Sequence, residues 1–95
     1  AQKSIGIWGQ QHARYLKQYH KVIYYNYLTS GKLNAYLADI DEQAEEMFSR
    51  LVKDMADKQG IDENLKATDQ MAWVGKMNNI RNAAMEIVNA ELIYS

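Results

Sequence analysis

Two histidines, a crowd of carboxylates and an asparagine-rich run are the groups in this chain with the chemistry to hold a metal, move a proton or read a base edge. His12 and His20 stand eight residues apart. On one helix that is about 12 Å, too far to share a metal ion. His12 falls on an apolar face and reads as a hydrogen-bonded core residue, while His20 reads as solvent-facing or a minor part of a basic patch. Asp39, Asp41, Glu42, Glu45 and Glu46 hold carboxylates at i, i+3 and i+4 spacings. A di-metal bundle needs Glu-x-x-His on facing helices. The sequence has none, so the cluster reads as a solvated, acidic helix start. Asn78, Asn79, Arg81 and Asn82 sit in MNNIRN. Asn and Arg can read adenine and guanine edges. Glu86 and Glu91 follow, however, and a polar contact inside a bundle or across a dimer fits better. There is no cysteine, Gly-rich phosphate loop, nucleophile elbow or zinc-ligand spacing. The expectation is a protein that is not an enzyme and carries no cofactor and no metal.

The basic residues are more organised. Arg14, Lys17 and Lys21 are spaced three and four apart, so on one helix they line a face that Tyr25 continues. Lys32 lies beyond, with Lys3 and His20 as lesser contributors. The net charge of −1 hides this asymmetry. Residues 1–38 carry Lys3, Arg14, Lys17, Lys21 and Lys32 and no acid, a charge of +5; residues 39–95 carry the other 6 bases and all 12 acids, a charge of −6. Six of the seven tyrosines lie in the first 36 residues. A basic, tyrosine-rich segment can follow phosphates. It can also pack against the acidic remainder of its own chain, and charge alone favours that second reading.

Long helices must position these groups. Proline is absent, so nothing forbids them. The organising stretch is residues 32–59, where Leu33, Leu37, Ile40, Ala44, Met47, Leu51 and Met55 recur at helical spacing. Residues 5–28 read as a first helix with Trp8, His12, Leu16 and Ile23 on one face. Gly6 and Gly9 count against it. Its end is apolar all round, so it is either enclosed on both sides or broken near His20. A third helix runs from about Glu63 to Tyr94, with Trp73, Met77, Ile80, Ala84, Ile87, Val88 and Leu92 as its stripe. Its small-residue face, Ala72, Gly75 and Ala83, predicts another helix packed across it. Gly31 and Gly60 end helices, and Asp62 caps the third. The fold expected is all-α: one domain over residues 1–95, an up-down-up three-helix bundle dominated by a long antiparallel helical hairpin, its first helix intact or broken. Tyr24, Tyr25 and Leu28 carry apolar surface outward and predict a homodimer. No apolar run reaches membrane-spanning length and no signal peptide is evident, so a cytoplasmic protein is expected.

LTSGKLNAYLADIDEQA (28–44), WVGKMNNIRN (73–82) and EIVNAELIY (86–94), in a match that covers nearly the whole chain, resemble the TnpV family of transposon-encoded proteins. The resemblance implies a setting in bacterial transposons and integrated conjugative elements, beside recombinase genes. Through a weak likeness to excisionases it implies an accessory role in DNA recombination. It supplies no catalytic residue. The partners expected are duplex DNA, met by Arg14, Lys17, Lys21 and Lys32 through phosphates, or a recombinase of the same element. The alternative is a protein–protein adaptor or dimeric helical regulator without affinity for nucleic acid.

Overall fold

The computed structural model describes residues 4–94 and contains no strand among them. Five α-helices follow one another: α1 (Ile7–Tyr19), α2 (Lys21–Thr29), α3 (Leu33–Lys58), α4 (Glu63–Thr68) and α5 (Gln70–Val88). A π-turn, Asn89–Ile93, extends α5. The all-α class is as expected, but the count of three helices is not. The first helix takes the broken one of its two expected forms, at His20, whose φ of −137° and ψ of 56° leave the helical region. The third breaks at Asp69, with φ −148° and ψ 82°. Asp69 then starts α5 by accepting a hydrogen bond from the Ala72 amide at 3.1 Å, as Asp62 starts α4 from the Leu65 amide at 3.0 Å. Each aspartate satisfies one of the amides a helix start leaves without a partner.

Both glycine turns close in the same way. Gly31 (φ 75°) and Gly60 (φ 68°) take the left-handed conformation. After α2, the Lys32 amide bonds the Tyr27 carbonyl at 3.0 Å and the Gly31 amide bonds that of Leu28 at 3.2 Å. After α3, the Ile61 amide bonds the Ala56 carbonyl at 2.9 Å and the Gly60 amide that of Asp57 at 3.2 Å. This is the paired closure that ends a helix and turns an apolar residue back onto it. Ile61 accordingly becomes a buried core residue.

Helices α3 and α5 run antiparallel, as two core clusters show. Near the turn, Ile61, Met77 and Ile80 pack with Val52, Met55 and Trp73. At the far end, Trp8, Ala44, Val88 and Ile93 pack with Ile40, Met47, Phe48 and Leu51. Of the expected seam, Leu37, Ala44, Met77, Ile80 and Ala84 are buried; Ile40, Met47, Leu51, Trp73 and Ile87 are half-buried. The molecule measures 54 × 29 × 18 Å. A shape so thin leaves few positions covered on every side.

Helix α1 lies against the first half of α3, and its glycines permit the approach. A Cβ on Gly9 would fall 2.5 Å from Ile5 Cγ2 and 2.8 Å from the Leu37 carbonyl oxygen. One on Gly6 would fall 2.9 Å from Asp41 Oδ1. Asp41 accepts from the Gly9 amide at 2.9 Å, capping α1 from a neighbouring helix. What reads as a local weakness is thus the contact surface of the crossing.

Gly75 is the opposite case. The first segment does not cross the small-residue face of α5: Gly75 and Ala83 are exposed, and a Cβ at Gly75 would meet nothing within 4 Å. Gly75→Ala is therefore expected to raise stability by about 1 kcal/mol through helix propensity alone. The melting temperature should rise by about 4–8 °C for a chain of this size. A fall, with a lower sedimentation coefficient, would mean that a second copy covers this face.

Candidate nucleic-acid interface

The basic side chains lie on α1, on α2 and in the turn after it. Arg14, Lys17, His20, Lys21 and Lys32 are all exposed. Arg14, Lys17, Lys21 and Lys32 are in no ion pair among the described residues, so they do not lie against the acids of α3. Lys3 lies outside the described residues. The break at His20 corrects the expectation of one unbroken face: Arg14 and Lys17 share α1, and Lys21 opens α2 in a new register. His20 Nε2 lies 3.2 Å from the Tyr15 hydroxyl, and the two rings meet edge to face at 5.2 Å. Tyr15 also contacts Tyr19 (5.6 Å) and Tyr94 (5.4 Å).

Helix α2 has no buried residue. Val22 (75%), Ile23, Tyr25 and Leu28 are exposed, and Tyr24 is half-buried with its ring 5.2 Å from that of Tyr25. Here the polar outer face of α1 gives way to mixed basic, aromatic and aliphatic surface. The exposure expected of Tyr25 and Leu28 is present; Tyr24 is more covered.

The other candidates separate cleanly. His12 is buried as expected, 3% exposed, and clasps three elements. The Ile93 carbonyl 2.7 Å from Nδ1 can only accept, so Nδ1 carries a hydrogen. In the neutral ring Nε2 then accepts from the Tyr36 hydroxyl at 2.8 Å. Burial, and next the nearby Tyr27, raise the Tyr36 pKa above its ordinary value. Tyr27 stacks on Tyr36 at 4.4 Å and 11°. The acidic cluster is only partly a solvated face: Asp41 caps α1, and Glu45 Oε2 accepts from Trp8 Nε1 at 3.1 Å. No group of three or more His, Cys, Asp or Glu side chains is placed to hold a metal among the described residues. Asn78, Asn79, Arg81 and Asn82 are exposed, so of the two polar contacts expected the one inside the bundle is not made, which leaves the one across a dimer.

With this geometry in hand, the relationship is decided by one match. The family model for the transposon-encoded protein TnpV covers residues 1–93. The chain belongs to the TnpV family. No curated protein and no solved structure matches it. In this TnpV member two of the three stretches that carried the resemblance include structural joints. Residues 28–44 include the Gly31 turn, Tyr36 and Asp41, and residues 86–94 include the π-turn whose Ile93 carbonyl meets His12. Residues 73–82 lie on α5 and supply the buried Met77 and Ile80. No helix among the described residues is long and apolar enough to cross a membrane.

Proposed function

We propose that this TnpV member is a non-catalytic accessory protein of a bacterial transposon or integrated conjugative element, binding duplex DNA or the recombination complex in an excisionase-like role. The single observation that supports the reading most is the unpaired, exposed basic surface of α1 and α2, with no acid anywhere in residues 4–38. Cations with no carboxylate to release are free to displace counterions from phosphates. Their contacts would set affinity and register, not base choice.

A salt series tests this. With three to five phosphate contacts, log affinity should fall against log salt with a slope of about −3 to −4.5. Replacing Arg14, Lys17 and Lys21 together by Gln should flatten the slope by about 3 and weaken binding evenly across sequences. The same variant should melt within about 0.5 kcal/mol of wild type, because exposed, unpaired side chains add little to stability. Early melting would mean that those bases pair with the acidic helices in solution.

The second reading, an adaptor or homodimer, rests on α2. Nine residues with no buried side chain and large apolar groups outward are a surface that a protein partner, such as a recombinase of the same element or a second copy, would cover. That reading forecasts no salt-dependent DNA binding, and a dimer at tens of micromolar (on the order of the concentrations that fill a micromolar interface).

A further inference from the structure

Two shallow depressions adjoin at Ile23 on α2, one at the break at His20 and the other toward the Gly31 turn. The first, about 460 Å³, has Gln18, Tyr19 and Lys21 in its lining. The second, about 360 Å³, has Asn26, Tyr27 and Lys32. Each thus combines a carboxamide, the tyrosine directly after it in sequence, and a lysine. No carboxylate lines either one. Tyr19 is 66% exposed, and Tyr27 is held in place by its stack on Tyr36.

A duplex can meet the lysines of this surface through its phosphates, but it leaves the rings unused. Its bases are stacked and show only their edges in the grooves. The exposed ring of Tyr19, the half-buried ring of Tyr27 and the aliphatic side chain between them find no partner on a phosphate backbone. A single strand offers what the depressions lack: a ring face for the tyrosine, a phosphate for the ammonium and a base edge for the carboxamide. We propose that the α1–α2 surface takes single-stranded nucleic acid, one nucleotide in each depression, with Tyr19 and Tyr27 as stacking platforms and Lys21 and Lys32 on the phosphates. The proposal rests on the nucleic-acid reading above and specifies its ligand. Ile23, shared by both depressions, separates the two bases. Arg14 and Lys17 on α1 receive the strand as it leaves the first depression.

Fluorescence anisotropy with a labelled oligothymidine of ~12 nucleotides, within the site sizes typical of such surfaces, and with a blunt hairpin duplex tests this on the intact chain. The single strand should bind at least about tenfold tighter than the duplex, as expected of a surface that gains from base stacking. Tyr19→Ala should lose about tenfold on the single strand and little on the duplex, as for one stacked base. Tyr19→Phe, which keeps the ring, should retain the affinity. Equal binding of both forms, with Tyr19→Ala without effect, would overturn the stacking proposal and leave the phosphate surface standing. Binding of neither form at low salt would remove both. A change in sedimentation of free Tyr19→Ala would assign Tyr19 to a contact between copies and would also overturn the proposal.

Discussion

Replacing Trp8 by alanine is expected to cost about 3–5 kcal/mol, the usual price of emptying a large aromatic site in a core. Trp8 is 5% exposed and packs with Ala44, Val88 and Ile93, so it joins α1, α3 and the π-turn at one point. Its ring lies 5.6 Å from that of Phe48, and its indole N–H donates to Glu45. The small neighbours cannot fill the space: Ala44 has no rotamer to move, and Val88 is fixed on α5. A domain of this length has roughly 5–14 kcal/mol of stability in all. The melting temperature should therefore drop by at least about 12 °C, taking about 4 °C per kcal/mol as the low end for this size. Trp8→Phe keeps most of the volume and loses the indole hydrogen bond, so it should cost less than half as much. Urea unfolding followed by circular dichroism measures both. A Trp8→Ala variant within 1 kcal/mol of wild type (on the scale of an ordinary substitution) would mean that α1 is docked, not built in.

The same joint shows what sequence could and could not reveal. The seam of α3 was legible because 26 residues keep one helical period, long enough to outweigh local irregularities. Asp62 was legible as a cap because Gly60 stands just before it. Asp69 was not: it lies between Leu65 and Trp73, inside a stripe that continues in phase on both sides, and α4 and α5 together mimic one helix. The π-turn was hidden for a similar reason. A reading at 100° per residue puts Leu92 on the stripe and leaves out Ile93, whereas the wider turn buries Ile93 completely and leaves Leu92 partly covered. Gly6 and Gly9 carry no local sign that a helix crosses them; their meaning depends on Leu37 and Asp41, some thirty residues away. The basic surface was half legible. Segregation of charge is a property of sequence, but whether those charges meet the acids of the same chain depends on the placement of α1 and α2. His12 could be assigned to the core from its face, yet its partners come from sequence separations of 24 and 81 residues.

Those two partners make His12→Leu the second large effect. Leucine is close in volume and keeps the site apolar, so the change isolates the hydrogen bonds. It leaves the Ile93 carbonyl without its partner in a buried setting, which typically costs about 1–3 kcal/mol. The Tyr36 hydroxyl also loses its acceptor, but Tyr36 is only half-buried and water can reach it, so this adds less. The net loss should be about 2–3 kcal/mol. Tyr36→Phe alone should cost about 1 kcal/mol, because it removes one hydrogen bond and keeps the ring that Tyr27 stacks on. Made together, the two changes should cost about 0.5–1.5 kcal/mol less than their sum, the coupling expected of side chains in direct contact. The loss should also be local. His12 ties the chain end to α1, and the Tyr94 amide closes the π-turn on the Asn89 carbonyl at 2.8 Å. Without the clasp, hydrogen exchange at Tyr94 and Ile93 should accelerate far more than at Ile80, whose cluster near the α3–α4 turn does not include His12. Equal acceleration at both ends would mean that the variant only lowers global stability. A fully additive double mutant, with exchange at the chain end unchanged, would sink the clasp as an element of the fold.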